Sequence, residues 1–360
     1  MTRKAPDAKI SGLNRPSRKL SLLIRLGLLV LFVALLYRFT NLRLLVSTLA
    51  RISLGTFAAC ALLELAFYAL ESWRIQVLAG GTYSYRAIWR SRLLSALVSN
   101  FLPGMSSGEL VRVFMLDTHR PGNKLNVALL LLANRLYGVL TLAALLLVSL
   151  LISRTQMSDT LRGRSLVVGF GLLVGLALPL ALVHTRPVRG AMLKAIRKMD
   201  GKFRHIGTAF YLSIARFGAP RRSAFAIATS AVTTLLAVAL FWLLGHAVGL
   251  ELGPARWMLC VTMAGFSSFL PIGFGAIGPQ DAGMALFAKL SGAPIESLLA
   301  VSLAIHVSRI AGTLPGLFYL HDAGPLLSGF FRSSRALLQS GKPTVDSRQS
   351  PQRDTNQRSE

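Results

Sequence analysis

The sequence predicts an all-α integral membrane protein in which about six transmembrane helices frame two re-entrant broken-helix hairpins arranged as an inverted repeat. Three observations predict it. Of 360 residues 53% are hydrophobic and only 15% are charged, where a soluble domain carries about 25% charge. The apolar residues also gather into six runs of bilayer length. Two further apolar stretches are broken midway by Leu-Pro and a cluster of glycines.

The six runs are 21–39, 52–70, 127–152, 165–183, 224–248 and 295–320. Each supplies roughly the 17–25 residues that a spanning helix needs. The first run follows a basic segment, as a signal peptide would. It is too long for the apolar core of one, and Leu35-Leu36-Tyr37-Arg38 offers no small-residue cleavage site, so it reads as an uncleaved anchor.

A net charge of +26 raises the question of nucleic acid, because clustered cations bind phosphate backbones. The distribution answers it. Residues 1–20 carry six Lys or Arg, 185–222 carry ten and 330–360 carry six, all flanking apolar runs. Such flanks mark cytoplasmic loops, and no nucleic-acid motif accompanies them. Both termini are therefore expected in the cytoplasm, as basic or polar tails over 1–20 and 323–360 around a membrane domain spanning 21–322. Arg74, Arg86, Arg90 and Arg92 fall on the same side. Arg154, Arg162 and Arg164 fall outside and count against this orientation, while Glu251 is the sole charge of the external segment 249–254.

Within the basic loop, Met192, Ile196, Met199, Phe203, Ile206 and Phe210 recur at three- and four-residue steps. That spacing predicts an amphipathic helix over 186–217, either lying in the headgroup layer or docked on the bundle.

The two interrupted stretches are 93–116 and 257–290. Each has a short apolar arm, Leu-Pro, a Gly/Ser-rich break, an acidic residue and a second arm. The breaks hold Pro103, Gly104 and Gly108 in the first, and Pro271, Gly273, Gly275 and Gly278 in the second. Proline removes a backbone donor and disrupts the preceding helical turn. A broken helix survives at membrane depth only where protein or a polar cavity satisfies the freed groups. The order then repeats: Pro103, Glu109 and Arg135-Leu-Tyr-Gly138 in the first half, Pro271, Asp281 and Arg309-Ile-Ala-Gly312 in the second. Three runs separate the two, so the hairpins enter from opposite faces, as in transporters built from inverted repeats.

The acids at membrane depth are Glu64, Glu71, Glu109 and Asp281. A charge there is costly and marks a polar pathway. Glu71 stands three residues from Arg74, a spacing for an intrahelical pair at the cytoplasmic end. Glu109 and Arg112 follow the first break, where a helix start capped by Ser106 or Ser107 attracts an anion and Arg112 adds a phosphate contact. The alternative is a self-satisfied cap. We expect Glu64, Glu109, Arg112, Arg135, Asp281 and Arg309 to line a headgroup cavity.

Other patterns carry less. Gly273-Phe-Gly275-Ala-Ile-Gly278 matches a dinucleotide fingerprint but lacks its strand–turn–helix context and reads as a hairpin tip. Gly171 with Gly175 and Gly245 with Gly249 fit small-residue packing faces. Cys60 and Cys260 read as thiols within apolar stretches. No nucleophile–base motif is visible around His184, His205, His246 or His306, so no catalytic residue, cofactor or metal is assigned.

At Leu102-Pro103, Gly108-Glu109, Arg112 and Asn134-Arg135 the chain resembles the transmembrane, flippase-like region of lysylphosphatidylglycerol synthases. Ser72-Trp73-Arg74, Leu270-Pro271, Gly273, Gly275, Gly278 and Arg309 extend the likeness over roughly 20–322. In that family the second glycine run usually ends in Glu, where this chain has Pro279-Gln280-Asp281. In the larger synthases a soluble aminoacyl-transferase domain follows, and the membrane part is associated with moving the modified lipid across the bilayer. Here only a polar tail follows residue 322, the pattern of a stand-alone member. The resemblance implies a translocase in a bacterial cytoplasmic membrane, acting on a phospholipid, an aminoacyl-lipid or an isoprenoid-linked lipid. The alternatives are a membrane transferase acting on a lipid carrier and a non-catalytic partner of a lipid-modifying synthase or glycosyltransferase.

Overall fold

Helices account for nearly all of the computed structural model, which describes residues 47–101, 106–152, 159–182, 185–201, 204, 207–208, 210–212, 219–268 and 278–320. The first apolar run, both tails and the break residues Pro103, Gly104, Pro271, Gly273 and Gly275 lie outside these. In chain order the helices are α1 (Leu54–Leu78), α2 (Tyr85–Phe101), α3 (Ser106–His119), α4 (Lys124–Ile152), α5 (Asp159–Leu182), α6 (Arg186–Arg197), α7 (Pro220–Ala247), α8 (Pro254–Ser267), α9 (Pro279–Ser291) and α10 (Ile295–Thr313). A 3-10 turn, Leu314–Tyr319, continues α10. All belong to one unit that ends at Tyr319.

Among them α1, α4, α7 and α10 with its 3-10 turn are long and apolar enough to cross a membrane. Their outer faces confirm the setting. Leu62, Val148, Leu235 and Val307 stand exposed on these helices, which suits hydrocarbon and not water. Inward, α1 turns Glu64, Tyr68, Glu71 and Arg74 away from the surface, the reverse of a helix in a soluble protein. The chain is an all-α integral membrane protein. α5 coincides with the fourth predicted run and packs on α4.

Local chemistry sets the helix ends. The Ser53 hydroxyl accepts from Thr56 N at 3.1 Å and caps α1. Gly278, with φ of 102°, takes a backbone conformation that side chains disfavour and opens α9. Asp281 Oδ2 accepts from Gly278 N at 2.7 Å across that start.

The packing repeats. Helices α1 to α4 form one set and α7 to α10 another, each a long helix, two shorter ones and a long one. α2 packs on α3 as α8 packs on α9, and α1 on α2 as α7 on α8. Across the sets α10 packs on α1 as α7 packs on α4, and α8 on α4 as α2 on α10 and its 3-10 turn. The two leading helices, α1 and α7, pack on each other. One apolar cluster centres on the first set, around Ile75, Ile88, Leu116 and Leu131 with Ala226 of α7, and another on the second, around Phe241, Trp257, Phe287 and Leu298 with Cys60 of α1 and Leu150 of α4.

Three expectations need correction. Gly108 lies within α3, not in the break, and serves close packing: a Cβ there would stand 2.7 Å from Ser95 O of α2. The basic segment is not one continuous helix. α6 ends at Arg197, with Lys198 as its cap, and the space beside Gly207 is occupied by Ile196 and Met199, so the chain folds back upon α6. The small-residue faces are used only in part: Gly245 accommodates the Trp257 ring of α8, Gly249 lies beyond α7, and among the described residues nothing stands within 4 Å of a Cβ on Gly171 or Gly175.

Candidate functional site: a charged cavity between the two helix sets

A cavity of about 410 Å3 opens between the sets, lined from α1, α2, α3, α4, α7 and α10. Gly108 and Ser268, each close to a hairpin break, reach its wall. Its charged lining is Glu64, Glu71, Arg74, Arg92, Glu109, Arg135 and Arg309.

The charges alternate along a ladder. Arg92 Nε lies 2.6 Å from Glu71 Oε2, and Arg112 Nη1 donates to Glu71 Oε1 at 3.1 Å. Arg112 Nη1 is also 3.7 Å from Glu109 Oε1, to which Arg135 Nη2 donates at 3.3 Å. Asn134 Nδ2 adds a second hydrogen bond to Glu71 Oε1 at 3.2 Å, while the Asn134 Oδ1 accepts from Arg74 Nε at 2.7 Å. Arg74 Nη1 donates as well to the Ser230 hydroxyl of α7. The Arg92 guanidinium lies 4.5 Å above the Tyr68 ring, a cation–π contact. Buried charges of this kind depend on being paired, and here Glu71 and Glu109 each face two guanidiniums, although Arg112 keeps Nε and Nη2 without a hydrogen-bond partner among the described residues.

A second, smaller group stands on α10. Arg309 Nε donates to Glu64 Oε1 at 3.2 Å and its Nη1 donates to Gln280 Oε1 at 2.7 Å. This ties α10 to α1 and to the first turn of α9.

Of the residues expected in a headgroup cavity, Glu64, Glu109, Arg135 and Arg309 line it. Arg112 is buried just behind, between Glu71 and Glu109. Asp281 is elsewhere. Both its oxygens are occupied, by Gly278 N on one side and by the Ser302 hydroxyl and His306 Nε2, at 3.4 Å, on the other. Asp281 thus caps α9 and braces α10, and its neighbour Gln280 reaches the cavity arginine instead. With its carboxylate between them, Ser302 donates to Asp281 and not to His306, so the trio does not activate a nucleophile.

Sequence reasoning placed Glu71 at the interface in a pair with Arg74. The structure sends Arg74 to Asn134 and Ser230, and Glu71 to Arg92 and Arg112. Arg92, Asn134 and Tyr68 were not foreseen as lining residues. The spacing of Glu64, Tyr68 and Glu71, one turn apart along α1, was the available signal for a polar inward face. Nothing local announces Arg92, whose partner is 21 residues away on another helix.

The family model described as the lysylphosphatidylglycerol synthase TM region matches residues 22–316. The chain belongs to this family. No curated protein and no solved structure shows significant similarity to it. Membership in the lysylphosphatidylglycerol synthase TM family implies a function concerned with membrane lipids, and the match covers every helix that forms the cavity.

Proposed function

We propose that the chain is a lipid translocase of a bacterial cytoplasmic membrane, with both termini cytoplasmic. It takes the polar headgroup of a phospholipid, aminoacyl-lipid or isoprenoid-linked lipid into the cavity while the chains stay in the bilayer. One observation carries the reading: a cavity lined by arginines and glutamates inside a body whose outer faces are apolar. Charges at membrane depth are costly and gather on polar pathways, and sites of this kind lie between the repeats of many transporters. The two broken hairpins would re-enter from opposite faces, so that alternating exposure of the same site moves the headgroup across.

Proteoliposomes reconstituted with the purified chain and fluorescent lipids of several headgroup classes test the proposal. Transport is expected for at least one class. Glu109→Gln, which removes the negative charge that pairs with Arg135, is expected to lower the rate about tenfold or more while the protein elutes and melts as wild type. Absence of transport for every class tried would overturn the reading.

A further inference from the structure

The cavity's arginines differ in what they are free to do. Arg112 and Arg74 are almost wholly buried, with 1% and 5% exposure, and Arg92 is held between Glu71 and the Tyr68 ring. Arg74 and Arg92 belong to the wall, and Arg112 stands behind it. The Arg135 and Arg309 side chains are 35% and 30% exposed. A guanidinium carries five N–H donors. Among the described residues Arg135 uses one of its nitrogens, on Glu109, and Arg309 uses two, on Glu64 and Gln280.

Arg135 and Arg309 also correspond. Each opens an Arg-x-x-Gly string on the long helix that follows a hairpin. Each bonds to the first turn of that hairpin's second arm, Arg135 to Glu109 on α3 and Arg309 to Gln280 on α9. The packing pattern equates α4 with α10. One half-exposed arginine therefore comes from each half of the repeat to a single cavity.

Charge decides what such a pair takes. Counting Arg112 behind the wall, five arginines face three glutamates in and around the cavity, an excess of positive charge. An anion suits that excess; a cationic headgroup does not. A phosphoryl group presents two or more unesterified oxygens in the planar spacing that guanidinium forks match. We infer that Arg135 and Arg309 form a two-sided clamp for the phosphoryl group of a net-anionic lipid headgroup, with Glu109 and Glu64 holding the two guanidiniums in aim when the cavity is empty. This rests on the translocase reading of the same cavity and narrows its substrate class.

The test uses the full chain in phosphatidylcholine nanodiscs, doped separately with phosphatidylglycerol, a polyprenyl phosphate and lysyl-phosphatidylglycerol, with retained lipid measured by mass spectrometry. At least one anionic lipid is expected to be retained about tenfold over phosphatidylcholine and over the cationic lipid. The phosphatidylglycerol and polyprenyl arms tell the two anionic sources apart. Arg135→Gln with Arg309→Gln should abolish the preference. The matching Lys variants should restore it only in part, since an ammonium cannot make the bidentate contact. Lys289→Gln, outside the cavity, should keep it. Inorganic diphosphate should compete with the retained lipid on wild-type protein, a measurement that stands even if the double variant fails to fold.

Equal retention of all lipids, preference for the cationic one, a folded double variant with full preference, or absence of competition each overturns the clamp. Anionic retention without transport would overturn the translocase reading and leave the clamp standing. Transport without anionic preference would do the reverse.

Discussion

Glu71 meets two guanidiniums and an amide at once, and its removal tests the ladder at the scale of a single residue. Arg112 has Nε and Nη2 without a hydrogen-bond partner among the described residues, so the Glu71 contact is its main compensation. Glu71→Gln keeps the shape and deletes the charge, leaving Arg92 and Arg112 to repel one another in a buried site. Breaking a buried pair this way costs about 3–5 kcal/mol. We expect a clear fall in the melting temperature of the detergent-solubilised protein, and an unchanged melting curve would show that the ladder is not structural. The same residue shows what could be read from sequence. Spacing alone favoured Arg74, three positions on, because an i,i+3 pair is visible in a linear string. The actual partners lie 21 and 41 residues away on α2 and α3, and only the folded hairpin brings them near. Glu109, Arg135 and Arg309 were legible because a charge within an apolar run is anomalous wherever it pairs.

Each hairpin relies on one glycine where its arms approach most closely. A Cβ on Gly108 would stand 2.7 Å from Ser95 O, and one on Gly283 would stand 2.9 Å from Met263 O. Both obstructions are backbone, which cannot swing aside. Gly108→Ala and Gly283→Ala are therefore expected to force α3 from α2 and α9 from α8, costing about 1–3 kcal/mol each. Gly171→Ala, with nothing within 4 Å of its Cβ among the described residues, should be neutral or slightly stabilising, as alanine favours helix over glycine. Thermal stability by fluorescence-detected size exclusion separates these cases, and three indistinguishable curves would count against close-packed arms. At this scale the sequence was informative about where helices are, because apolar run length and Leu-Pro breaks are local properties. It was uninformative about Gly108, whose neighbours in the string suggested a loop while its constraint comes from another helix. The 186–217 segment failed for a related reason: periodicity continues through the turn at Lys198-Met199-Asp200, so spacing could not reveal the fold-back.

At the scale of the whole molecule, the internal correspondence of the two helix sets makes the strongest demand on topology. Contacts among α1 to α4 are matched by those among α7 to α10, yet the halves are not chemically equal. The first places Glu109 on its cavity arginine, while the second uses uncharged Gln280 and spends Asp281 on capping and on His306. An inverted, re-entrant arrangement has two separable consequences. If α2–α3 is re-entrant, the turns before and after it share one membrane face, and so do the turns flanking α8–α9. If the repeat is inverted, those two faces are opposite. Single cysteines at Ser84 and Arg120 report the first pair of turns, and cysteines at Glu251 and Pro294 report the second. Native Cys60 and Cys260 are buried, so labelling by a membrane-impermeant maleimide in oriented vesicles reads the introduced thiols over a low background. With both termini cytoplasmic, as proposed from the basic flanks, Ser84→Cys and Arg120→Cys should label from the cytoplasmic face, and Glu251→Cys and Pro294→Cys from the other. Opposite labelling of Ser84→Cys and Arg120→Cys would mean that α2–α3 crosses the membrane. Labelling of all four from one face would make the repeat parallel, and a site reached alternately through mirrored hairpins would then lose its structural basis.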